Sequence, residues 1–292
     1  MDRTEPDTGP AGTSPEPTGS ITSQVEFRSF DGLRLRGTLV APPAGETAAT
    51  VLVHGGGVTR EEGGFFARLA AGLAGAGSPT LRFDFRGHGE SEGRQEDLTI
   101  AGVVNDIRAA VAYVRAATRS GPVNLVGASF GGGISAFFAY RYPGQVRRLV
   151  LINPLLDYKK RFIDDKPGWR DDQICEDAGQ ALTEQGFLPH SPTFRLGRPL
   201  LNEVFYLDPR RSLTELAVPT LIVHGTKDSF IPVSSSRAAV GEIARANARL
   251  IEIEGAQHGI AVHDDPGYRD PQTQQWQASV VSLIAEWLTE PE

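Results

Sequence analysis

Four short stretches of the chain carry residue types that together could break an acyl bond. In NLVGASFGGG, Ser129 stands at the centre of Gly127-Ala128-Ser129-Phe130-Gly131, the G-x-S-x-G spelling of a tight strand-to-helix turn that holds a serine nucleophile. A serine hydroxyl is a weak nucleophile near neutral pH and needs a base. Partners are expected downstream in the order acid, then histidine, each after a strand. Asp228 follows LIVHGTK and His258 follows RLIEIEGAQ, which meets that order. In these roles His258 takes the Ser129 proton, and Asp228 fixes the imidazole tautomer and stabilises the imidazolium. A tetrahedral oxyanion also needs backbone N–H donors: one after the nucleophile, one from an earlier loop. Phe130 supplies the first. VLVHGGGVTR supplies the second through Gly56, with Gly57 as its rival.

Other residues compete for these roles. His54 and His224 end apolar runs and read as backbone hydrogen bonders, while His88 in DFRGHGES reads as a loop organiser. His190 and His263 are the remaining histidines, and Asp157, Asp264 and Asp265 are the rivals of Asp228.

The elements that must position these groups follow from the hydrophobic pattern. QVEFRSFDGLRLRGTLV alternates around Asp31-Gly32 and predicts a β-hairpin. Short runs rich in Val, Ile and Leu at 50–54, 80–84, 123–126, 148–152, 220–223 and 249–253 read as strands of a buried parallel sheet. Helices are predicted between them at 65–76, 131–142, 234–246 and 274–288. Another places Val103, Ile107, Val111 and Val114 on one stripe behind a Thr99 N-cap. This alternation argues a doubly wound, mostly parallel α/β sheet that begins with an antiparallel hairpin. Residues 154–218 lack a clean strand and carry six prolines (154, 167, 189, 192, 199 and 209), so they read as a partly helical cap insertion. Its aromatics, Tyr158, Phe162, Trp169, Phe187, Phe194, Phe205 and Tyr206, read either as pocket lining or as the insertion's own core. The expected division is a disordered tail at 1–20, a core at 21–153 and 219–292, and a cap at 154–218.

Composition narrows the function classes. The 292 residues are 40% hydrophobic and 22% charged with a net charge of −7, and the basic residues are scattered. An acidic chain without a basic stripe is a poor nucleic-acid binder, because that affinity comes largely from neutralising phosphates. A single cysteine, Cys175, excludes an internal disulfide. No run is long enough to span a membrane, and 1–20 has neither the basic nor the apolar stretch of a signal peptide, so a cytoplasmic protein is expected. No Walker A motif or G-x-G-x-x-G opens the first helix, and no His/Asp spacing suggests a metal, so no cofactor is expected.

Taken together, these stretches resemble the α/β-hydrolase superfamily over about residues 24–290. RFDFRGHGESEGRQEDLTI followed by GASFGG, HGTKD and GAQHG is similar to the bacterial cinnamoyl/feruloyl esterase-like branch. Ala128 and Phe130 stand where that branch often has His and Gln. The resemblance implies Ser129, Asp228 and His258 as a triad, Gly56 and Phe130 as oxyanion donors, and a pocket-shaping insertion that matches 154–218. The expected activity is serine hydrolysis of a small-molecule carboxylic ester or thioester. Two alternatives use the same residues differently: acyl transfer or acyl-group elimination in secondary metabolism, and a non-catalytic binding protein on the same fold.

Overall fold

The structure is a computed structural model that describes residues 19–43, 47–243 and 247–290. The tail expected at 1–20 lies outside the described residues except for Gly19 and Ser20.

In chain order the elements begin with β1 (Ile21–Arg28), β2 (Arg34–Ala41), β3 (Thr50–Val53), α1 (Phe65–Gly75), β4 (Thr80–Phe83), α2 (Ile100–Thr118), β5 (Val123–Ala128), α3 (Ser129–Arg141) and β6 (Val146–Ile152). The segment after β6 holds β7 (Trp169–Arg170), β8 (Gln173–Ile174), α4 (Glu176–Gln185), β9 (Phe187–Ser191), β10 (Phe194–Gly197), α5 (Arg198–Glu203) and α6 (Pro209–Thr214). The chain closes with β11 (Thr220–Gly225), α7 (Val233–Glu242), β12 (Ala248–Ile253) and α8 (Pro271–Thr289).

One eight-stranded sheet runs in the order β1-β2-β4-β3-β5-β6-β11-β12. β1 and β2 form the expected antiparallel hairpin around Gly32, and β2 pairs antiparallel with β4. Every later pairing is parallel. The central strands read apolar on both sides because both faces are covered. Val51, Leu125, Leu149 and Ile222 join a core beneath α2 and α3. Their neighbours Leu52, Val126, Val150 and Val223 join a second core beneath α1 and α8. Thr99 caps α2 as predicted, its hydroxyl accepting the Gly102 N–H at 2.9 Å.

Residues 154–218 correct the sequence reading. Where no clean strand is expected, β7 pairs with β8 and β9 pairs with β10, each in an antiparallel two-stranded sheet. Pro189 lies inside β9 opposite Arg195, next to a register shift. A two-stranded sheet is all edge, so a residue without an N–H is tolerated there, and that is why the proline signal misleads. The aromatics divide. Tyr158, Phe162 and Phe194 are buried around Phe130, Trp169 packs on Phe205, and Tyr206 is exposed.

Candidate functional site

Ser129 is the first residue of α3 and follows β5 directly, with φ of 49°. A non-glycine residue is rarely held at such an angle, so the surrounding packing must enforce it. The flanking glycines make that packing possible. A Cβ on Gly131 would lie 2.2 Å from the His54 carbonyl oxygen, and one on Gly127 would lie 2.4 Å from Ser135 Oγ. Helix and strand approach more closely here than any side chain allows. Gly131→Ala is therefore expected to destabilise the protein by about 1–3 kcal/mol or more, read as a lowered urea midpoint. An unchanged midpoint would show that the turn has slack.

Asp228 and His258 come from the loops after β11 and β12, and backbone contacts stitch these loops together. Thr226 N–H donates to Ile253 O at 3.0 Å, Lys227 N–H to Ala256 O at 2.9 Å, and Gly255 N–H to Thr226 Oγ1 at 2.9 Å. The result is a continuous chain of hydrogen bonds. His258 Nε2 lies 3.0 Å from Ser129 Oγ, and His258 Nδ1 lies 2.8 Å from Asp228 Oδ2. An ionised carboxylate only accepts, so Nδ1 carries the proton and the Nε2 lone pair faces the serine hydroxyl.

Asp228 is held on every side. Its Oδ1 accepts the N–H groups of Phe230 at 2.8 Å and Ile231 at 2.9 Å, and its Oδ2 also accepts from Asn153 Nδ2 at 2.6 Å. His224 Nε2 lies 3.3 Å from the same Oδ2. Burial works against the charge, but the hydrogen bonds from His224, His258 and the Ile231 N–H outweigh it. They hold the carboxyl well below its usual range. Asn153 and the closeness of His224 were not read from the sequence. The available signal was an Asn directly after a buried strand, and Asn153 itself has φ of 43°.

The glycine loop after β3 lies beside the serine. Its N–H groups are not equivalent. Gly55 N–H donates to Glu62 Oε1, and Gly57 N–H donates to His88 Nε2 at 3.0 Å. Gly56 N–H, between them, has no partner among the described residues. Phe130 N–H lies in the first turn of α3, where N–H groups have no intrahelical acceptor. Two unengaged donors thus flank Ser129, and the rival Gly57 is committed elsewhere. His88 Nδ1 lies 3.1 Å from Arg86 O, so its Nε2 is left as the acceptor that pins Gly57. Burial pushes His88 down to about 4 and keeps it neutral for that task.

The competing residues other than His190 are occupied. His54 Nδ1 contacts Gly55 O at 2.7 Å and its Nε2 accepts the Phe85 N–H at 3.3 Å, as the sequence suggests. His224 departs in part, since besides Ile231 O it contacts Ser236 Oγ at 2.7 Å. Asp157 accepts the Lys160 N–H, Asp264 pairs with the exposed His263, and Asp265 accepts the N–H groups of Arg269 and Asp270.

A cavity of about 150 Å³ opens over Ser129 and His258. Gly56, Glu62 and Phe130 line it from the core, while Arg161, Phe162, His190 and Phe194 line it from the 154–218 segment. That segment is tied to the serine turn, because Tyr158 Oη donates to Phe130 O at 2.6 Å and Leu155 N–H to Ser129 O at 2.9 Å.

Comparison of whole backbones decides the fold. The structure matches that of Est1E from Butyrivibrio proteoclasticus with ferulic acid bound, at TM-score 0.74 and 21% identity, over 90% of this chain and 99% of the other. The chain has the α/β-hydrolase fold. The resemblance to esterase-like proteins read from the sequence thus holds at the level of architecture. The family model described as serine aminopeptidase, S33, matches residues 45–171 of this chain. Curated relatives include a monoacylglycerol lipase of Mycolicibacterium smegmatis, 27% identical over 82% of this chain and 91% of that protein. Another is the proline iminopeptidase PfmaB of Pestalotiopsis fici, 25% identical over 82% and 94%. Among the described residues, no helix is long and apolar enough to cross a membrane, and no cluster of three His, Cys, Asp or Glu could hold a metal ion.

Proposed function

We propose that the chain hydrolyses carboxylic esters or thioesters through an acyl-Ser129 intermediate, with 154–218 acting as the cap over the substrate. The observation that carries this reading is the unbroken Ser129–His258–Asp228 hydrogen-bond chain beside an unengaged Gly56 N–H. Ser129 Oγ attacks the acyl carbon while its proton passes to His258 Nε2. The developing oxyanion accepts from the N–H groups of Gly56 and Phe130, each such donor typically worth about 2.7–4 kcal/mol. Collapse expels the alcohol or thiol, which takes the proton from His258. Water then attacks the acyl-serine with His258 as base, releasing the acid and restoring Ser129. A relative named as a monoacylglycerol lipase, and a neighbour solved with ferulic acid, support the ester reading.

The test is covalent. A fluorophosphonate probe is expected to add one phosphonyl group, located by mass spectrometry on the peptide containing Ser129. Labelling elsewhere, or none from a folded sample, would overturn the reading.

A further inference from the structure

The cap carries an unpaired positive charge into the cavity over Ser129. In KKRFIDDK (159–166), the first two of the three lysines take up the local acids: Lys159 pairs with Asp164 at 2.8 Å and Asp172 at 2.7 Å, and Lys160 pairs with Asp165 at 2.6 Å. Arg161 and Lys166 are left with no side-chain hydrogen bond or ion pair among the described residues. Arg161 lines the Ser129 cavity. Its guanidinium lies 5.7 Å from the Phe230 ring centroid, and Phe230 in turn stacks on His258 at 5.4 Å and 27°. The guanidinium is therefore one aromatic ring away from the imidazole that faces Ser129.

A second polar group in the same cavity also lacks a partner. His190 stands edge-on to Phe162 at 5.0 Å and lines the cavity, and its Nδ1 is buried with no hydrogen-bond partner. A buried polar atom without a partner is costly, so a turn of the ring that brings this nitrogen to a ligand in the cavity would relieve the cost. Burial, followed by the charges of Lys166 and Arg161, pushes His190 down to about 4, so the ring stays neutral and its Nδ1 can carry a hydrogen to donate. The acid that lines the cavity, Glu62, is engaged by Gly55 N–H and forms no ion pair with Arg161.

We infer that Arg161 and His190 form an anion subsite of the Ser129 cavity, and that the substrate is an ester or thioester carrying a carboxylate. A guanidinium presents its N–H groups as a planar fork that matches a carboxylate. The same charge repels a protonated amine, which sets this substrate class apart from the free N-terminus of a peptide. The inference rests on the hydrolase reading for the bond that is cleaved, but not for the anion that is bound.

Two pairs of substrates place the charge on either side of the scissile bond. 4-Nitrophenyl hydrogen suberate against 4-nitrophenyl octanoate tests the acyl side, and 4-carboxyphenyl octanoate against 4-carbamoylphenyl octanoate tests the alcohol side. The charged member of one pair is expected to show at least tenfold higher kcat/KM. Arg161→Gln is expected to cut that preference at least tenfold, and Arg161→Lys, which keeps the charge, to retain part of it. Binding supplies a readout independent of turnover: on Ser129→Ala protein, calorimetry is expected to find octanoate bound at least tenfold more tightly than octanamide, with the difference lost when Arg161→Gln is added. Esters turned over without charge preference in either pair, or a preference that Arg161→Gln leaves intact, would overturn the subsite while sparing the hydrolase reading. Octanoate held through Arg161 with no ester turned over would do the reverse.

Discussion

Replacing Ser129 with alanine is expected to lower kcat for 4-nitrophenyl acetate by about 10⁴–10⁶-fold while leaving the urea midpoint close to that of the parent. The size follows from the hydroxyl being the atom that forms the acyl bond: without it only the oxyanion donors and binding remain, and these leave a small residual rate. The fold should tolerate the change because the turn is enforced by its neighbours. Gly131 sits against the His54 carbonyl, Leu155 N–H bonds the Ser129 carbonyl, and Tyr158 bonds the Phe130 carbonyl. None of these contacts uses the Ser129 hydroxyl. Turnover within tenfold of the parent in carefully purified variant would remove Ser129 from the mechanism.

Asp228→Asn should cost nearly as much, about 10⁴-fold in kcat, by reversing one tautomer. The direction comes from the groups that surround the carboxylate. Oδ1 accepts two N–H groups, from Phe230 and Ile231, so the asparagine oxygen must occupy that position. Its NH₂ then falls where Oδ2 was, facing Asn153 Nδ2 and His258 Nδ1. Asn153 can answer this by turning its amide, so that its Oδ1, unpartnered beside the aspartate, accepts from the new NH₂. His258 must accept at Nδ1, so it carries its hydrogen on Nε2 and has no lone pair for the Ser129 proton. The variant should therefore bind substrate but turn it over slowly, with KM little changed. Retention of more than a tenth of parental kcat would mean that Asp228 does not set the imidazole tautomer.

Several features were legible in the sequence because their causes are local. The hairpin at Asp31-Gly32, the Thr99 cap and the strand-turn-helix at Ser129 each depend on residues only a few positions apart. Element ends were read less well. α8 starts at Pro271 with Asp270 as its cap, three residues before the apolar stripe that marks it in the sequence. α3 and β5 run into the Gly127–Gly131 turn from both sides, where neither periodicity applies.

The residues that hold the site together were not legible. Asp228 depends on Asn153, 75 positions away, and the glycine loop depends on His88, 31 positions from Gly57. Nor could spacing choose between Gly56 and Gly57. That choice falls to Glu62 and His88, which engage the N–H groups on either side and leave Gly56 free. Chemistry-bearing residues and their order follow from residue type and hydrophobic period, which are properties of the chain alone. Which donor is spare, and which charge is unpaired, depends on what every neighbouring group has already bonded, and only the assembled fold decides that.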